Sequence, residues 1–170
     1  MPSESTVHEA SAVPSDVPSA VPSDVPSTVP SDVPSTLQPL HPGLFRYHDD
    51  GSITLLGGYS PHSSQRHFPR QELCPFTGAD DIIEVDLPQF GTLSGWTSVN
   101  VAPPGYTGVI PYGLGIVDLD GEPVLKVIGR LIAADVTGLS FGDPMSLVRD
   151  VVTTVDGVDV STWAFTPTTT

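Results

Sequence analysis

A mainly β fold, with a five-stranded OB-type barrel preceded by a small knuckle-like hairpin module and a proline-rich tail, is predicted by three features of this 170-residue sequence. Short runs rich in Val, Ile, Leu and Thr follow one another from Ile82 to Phe165, and such residues suit a pleated, half-buried surface. Turn signals separate them: "PPG", "DG", "FGDP" and a second "DG". No stretch carries a helical period of useful length. Closely spaced strands joined by tight turns point to a sandwich or a small barrel, and five strands in roughly 85 residues fit the closed barrel best.

The elements follow in chain order. Residues 1–43 form an acidic tail in which residues 13–36 are three copies of an eight-residue unit, "VPSDVPSA", "VPSDVPST" and "VPSDVPST". A proline at every fourth position removes backbone donors and pushes each preceding residue toward extended geometry, so neither helix nor ladder is expected and the tail is predicted to be disordered. The repeat lacks the basic residue beside a PxxP core that many SH3 ligands carry, and it reads as a spacer. A module over 44–79 opens with "LFRYHDDGSITLLGG", where Asp50 and Gly51 stand between two short runs and signal a hairpin. It closes with "YSPHSSQRHFPRQELCPFTG", loop chemistry expected to be held by packing of Phe68, Leu73 and Phe76 or by a ligand. The barrel spans 80–167 in the segments "DIIEVDLP", "GTLSGWTSVNVA", "GVIPYGLGIVDLD", "PVLKVIGRLIAA", "PMSLVRDVVTTV" and "VDVSTWAF", and 168–170 is a short C-terminal tail. Gly95, Gly113, Gly115 and Gly129 lie inside these runs, where glycine relieves crowding at strand bends.

Charge narrows the function. Twenty acids against six bases give −14, and the five acids before residue 37 leave −9 on the remainder. Such a surface repels phosphate backbones and anionic headgroups, which argues against nucleic acid or membrane as partners. The single cysteine excludes an intrachain disulfide framework, no basic, apolar-cored leader opens the chain, and no apolar run approaches the ~18 residues of a membrane span. A cytoplasmic protein is expected.

The candidate chemistry lies in the knuckle. A zinc ribbon places two CxxC half-sites around one metal, and here the corresponding positions read Ser60, Ser63, Cys74 and Thr77. Neutral hydroxyls bind zinc poorly, and the spacing of His62 and His67 to Cys74 matches no ordinary half-site, so no metal is expected. Cys74 with His67, Arg66 and Arg70 nearby in sequence raises the question of a catalytic thiolate, but catalytic partners usually converge from distant segments, and a buried structural thiol is the simpler reading. "VDLDGEPV" has its glycine at the fourth rather than the sixth position of a calcium loop and reads as a hairpin turn; "GLGIVD" lacks the strand-turn-helix context of a dinucleotide site. Trp96, Tyr106, Tyr112 and Trp163 would suit a stacking platform only with cations beside them, and are expected to pack in core or interface. The exposed connection "VAPPGYTGVIPY", with Tyr106, Ile110 and Tyr112, is a natural partner patch.

The order "DDGSITLLGGY", "SxxS" at 60 and 63, "FPR" at 68–70, "CPFTG" at 74–78, "GTLSGWTSV", "PYGLGIVDLDGEPVLKVIGRL", "FGDPMSLV" and "WAFTP" resembles the acyl-CoA-associated OB-fold family, whose members join a rubredoxin-like zinc ribbon to an OB barrel. The resemblance runs from about Leu44 to Pro167, and the ribbon pattern CxxCG, FPPR, CPxC keeps step with Ser63, Phe68 and Cys74 while three of four ligands are replaced. It implies a non-catalytic accessory subunit of a thiolase or thiolase-like aldolase, a hetero-oligomer in which the partner holds the CoA thioester and supplies the reacting groups, in lipid, steroid or aromatic acyl-CoA metabolism. Tyr106, Ile110, Tyr112, Phe68 and Phe76 are then the expected partner-binding residues. The alternative is a stand-alone module for acyl-CoA or single strands, for which Lys126, Arg130 and Arg149 are the available bases of the barrel.

Overall fold

The structure is a computed structural model that describes residues 37–168 apart from Thr107, Ala134 and Asp135. The VPSD repeat lies outside the described residues. Among the described residues the elements are ten strands and one 3-10 turn: β1 (Leu37–Pro39), β2 (Phe45–Tyr47), β3 (Ile53–Ser60), β4 (Gln65–His67), β5 (Ile83–Asp86), β6 (Phe90–Val99), β7 (Tyr112–Leu119), β8 (Leu125–Leu131), η1 (Val136–Gly138), β9 (Pro144–Val155) and β10 (Val158–Pro167).

Five strands close on themselves. β6 pairs antiparallel with β7, β7 with β8, β8 lies parallel to β10, β10 pairs antiparallel with β9, and β9 returns to β6. This is the expected five-stranded OB-type barrel, and closure pairs both sides of its strands within the ring. Alternation explains the inside: on β7 and β8 the residues Val117, Leu119, Val127 and Leu131 point inward, while Ile116 and Ile128 face out. Two of the strand glycines make room there. A Cβ on Gly115 would stand 2.8 Å from the Leu131 side chain, and one on Gly129 would stand 2.9 Å from the Phe165 ring, so both strands need a hydrogen at these points.

The Asp50-Gly51 turn forms the predicted β2–β3 hairpin, with Gly51 at φ +82°. The second "DG" behaves likewise: Asp156 (φ 51°) and Gly157 (φ 81°) both take left-handed backbone in the two-residue turn between β9 and β10, the geometry that matches strand twist.

Two boundaries differ from expectation. The segment "DIIEVDLP" supplies β5, which pairs with β3 of the hairpin module and not with the barrel; its residue pattern fits either sheet, so only tertiary pairing decides. The expected tail also ends earlier than residue 43, because Leu37–Pro39 form β1, parallel to β10 with Leu37 opposite Asp159. One buried cluster runs through both sheets, from Phe45, Ile53, Leu55 and Leu87 to Leu93, Val117, Met145 and Phe165. Trp163 marks the joint, edge-on to Phe68 at 5.3 Å and to Phe45 at 6.3 Å.

Candidate functional site: a hydroxyl knuckle and an apolar cleft

The knuckle survives as geometry. β3 ends at Ser60, the chain turns through Ser64 (φ 55°) into β4, and the loop carrying Cys74 folds back so that the Ser63 Oγ lies 3.4 Å from the Cys74 Sγ. Cys74 N–H donates to Ala79 O and Gly78 N–H to Cys74 O, which closes the second turn. Ser60, fully buried, donates to Asp81 Oδ2 at 2.9 Å and accepts from the Ser63 N–H, while His62 N–H donates to the same carboxylate oxygen. The His62 amide holds the Asp81 carboxyl below its usual range, with burial opposing and Ser60 helping. All four ribbon positions are thus brought together, with Asp81 as a participant that the sequence did not single out.

The donor set does not fit zinc. One cysteine sulfur and three neutral hydroxyls supply a single soft, charged donor where zinc selects several, and no group of three His, Cys, Asp or Glu among the described residues is arranged to hold a metal. What the arrangement does instead is hydrogen-bond a thiol. Burial pushes the Cys74 thiol up, but the hydroxyls of Ser63, Thr77 and Ser60 and the Phe76 amide outweigh it and bring the pKa down to about 6. The basic neighbours in sequence are engaged elsewhere: Arg66 donates to Pro123 O in the β7–β8 turn, Arg70 pairs with Glu84, and His67 Nε2 accepts the Gln71 N–H. Burial holds His67 below its ordinary range.

The packing expected of the loop needs correction. Phe68 does pack, against Trp163, but Leu73 is 52% and Phe76 60% exposed; the loop is held by its hydrogen bonds around Cys74.

A cleft of about 440 Å³ lies on the barrel, lined by Tyr106, Tyr112, Ile128, Arg130, Val152 and Trp163 together with Leu40 and His41. The two tyrosine rings stand 5.3 Å apart, Arg130 lies over Tyr112 at 4.7 Å, and Arg130 Nη1 donates to Tyr106 Oη at 2.8 Å. Arg130 also forms an ion pair with Asp150; burial pulls its pKa down, but Tyr106 and Asp150 raise it on balance. The cleft therefore offers aromatic surface and a cation already matched. Ile110, 43% exposed, stays on the outer connection, and Phe76 lies on the knuckle lining no part of the cleft. Of the four aromatics, Trp96 packs separately, edge-on to Phe141 at 4.9 Å, so no single platform forms. Arg130, Trp163 and His41 were the lining residues that sequence reasoning missed as a group; they come from three distant segments, and no local pattern links them.

The closed five-stranded barrel gives the chain an OB-type fold. Residues 84–150 match the family model of the ChsH2 C-terminal OB-fold domain. Among curated proteins, a DUF35 domain-containing scaffold protein of Pyrococcus furiosus is 28% identical over 88 residues, covering 52% of this chain and 64% of that protein. The chain thus spans just under two thirds of that relative's length. Among solved structures, a chain of the Ltp2-ChsH2(DUF35) aldolase has the same fold, with a TM-score of 0.52 at 18% identity over 67% of this chain and 84% of that one. These matches bear out the resemblance to the acyl-CoA-associated OB-fold family.

Proposed function

We propose that the chain is a non-catalytic accessory subunit that docks on a thiolase-like enzyme, a thiolase or retro-aldolase, acting on acyl-CoA thioesters. The observation that carries this reading is the match of residues 84–150 to the OB domain of ChsH2, a name that recurs in the aldolase complex of the same fold. The curated relative's description as a scaffold protein supports the same role. The partner enzyme holds the CoA thioester and supplies the groups that make or break the carbon–carbon bond; this chain shapes or steadies the site by contact. Its exposed connection around Tyr106 and Ile110, beside the aromatic cleft, offers the apolar surface that such contact uses.

Charge disfavours the stand-alone alternative. Lys126 sits on Asp118 at 2.6 Å, with Ser94 bonded to the same carboxylate, and Arg130 on Asp150, so two of the three barrel bases are already neutralised before a polyanion such as CoA arrives. The test is co-purification with a thiolase-superfamily protein from the native extract, followed by turnover assays of each component. The expected result is a stable complex and no turnover by this chain alone; cleavage or condensation by the isolated chain would count against the reading.

A further inference from the structure

We propose that the outer edge of β9 between Val151 and Val155 accepts a β-strand from the partner enzyme, an extended segment of net positive charge with an apolar side chain seated in the Tyr106–Trp163 cleft. The inference rests on the accessory-subunit reading and says how that subunit engages.

β9 is a 12-residue strand, yet only Pro144–Ser146 ladder with β6. The Leu147 N–H bonded to Gln89 O is the last backbone hydrogen bond on that side among the described residues. On its other side β10 accompanies β9 to Val155, and β10 is in turn covered by β1. The β1–β10–β9 extension therefore runs past the closed ring with one flank covered and, among the described residues, no strand on the β9 edge. Unpaired edges are templates for another strand, and natural sheets blunt them with Lys or Pro. The stretch Val151–Val155 reads "VVTTV" and contains neither; Val151 is 42% and Val155 53% exposed. β-branched residues of this kind favour pairing.

The edge is joined to a pocket. The ladder register slips between Val160 and Ser161, so that Val152 is the extra residue on β9, and both Val152 and Thr153 line the aromatic cleft. A bulge that re-aims side chains beside a free edge gives main-chain bonding and a specificity pocket in one place, the two parts of strand-addition recognition.

Charge selects the occupant. Asp156 and Asp159 stand at the hairpin tip, Arg149 is the base of this strand, and the chain as a whole carries −14. A second copy would bring equal negative charge to the same edge, whereas a basic segment is drawn to it.

The experiment compares binding of the co-purifying thiolase-superfamily enzyme by calorimetry for the unmodified full chain, the pair Val151→Lys and Val155→Lys, and the pair Val151→Glu and Val155→Glu. Amide hydrogen exchange is followed with and without enzyme. The expected result is at least tenfold weaker binding for the lysine pair, equal or tighter binding for the glutamate pair, and protection of amides 150–155 in the complex. A complex that leaves those amides unprotected and tolerates both pairs overturns the strand-addition inference alone. Failure of the enzyme to bind the unmodified chain overturns both readings. Dimerisation that protects the same amides without enzyme gives the edge to a second copy and overturns the proposal.

Discussion

In the barrel, side chains from five strands meet in one apolar interior, where Leu93, Val117, Leu119, Val127, Met145 and Phe165 are all fully buried. In the neighbouring ribbon sheet the equivalent centre is polar: Ser60, Ser63 and Thr77 surround the Cys74 sulfur, and Asp81 ties the first turn down. The barrel is thus stabilised by removing area from water, the knuckle by hydrogen bonds made in a buried place. Two neighbouring sheets can thus be held by different means, one by apolar packing and the other by a few hydrogen bonds placed around one sulfur.

The sharpest way to break this comparison is to return the sulfurs. A variant carrying Ser60→Cys, Ser63→Cys and Thr77→Cys is expected to bind one zinc per chain by metal analysis, with apparent binding on the order of 10 kcal/mol as in small zinc modules. Absence of metal in a folded variant would mean that the four positions do not converge as described. Next in size, Phe165→Ala empties the middle of the barrel and is expected to cost about 3–5 kcal/mol in chemical denaturation. The same loss is not expected from Phe76→Ala, since that ring is largely exposed. Ser60→Ala removes the donor to Asp81 and the acceptor for Ser63, and is expected to cost about 1–3 kcal/mol, seen first as faster amide exchange in 60–81.

A pH dependence is also expected. The Cys74 thiol falls from its ordinary 9.0 to about 6 in the folded chain, so its stabilising contribution is complete above pH 9 and declines as pH falls toward 6. The knuckle is expected to grow more protected from pH 6 to pH 9 in the unmodified chain. Cys74→Ser should flatten that trend, and the thiolate ultraviolet band should titrate near pH 6.

Much of the fold was legible because it is written locally. The barrel strands alternate, and the three Asp-Gly pairs at 50–51, 120–121 and 156–157 all fall in turns between antiparallel strands. The parallel contact between β8 and β10 was not legible, since Ala164 opposite Arg130 is a pairing across more than thirty residues with no turn to announce it. β1 escaped for a related reason: "LQP" has no strand pattern of its own and is defined only by the edge it covers. At the site, the ribbon positions were readable from spacing. The cleft was not, because Tyr106 and Tyr112 acquire their meaning from Arg130 and Asp150, which approach from other strands.

The role proposed for this chain is contact with a larger catalyst. Its most direct test is a turnover assay in which the purified thiolase-superfamily partner receives increasing amounts of this protein. Activity that rises and saturates at a fixed stoichiometry, with none from this chain alone, is the predicted outcome. A partner that is fully active and unchanged across the titration, or turnover by this chain in isolation, would contradict it.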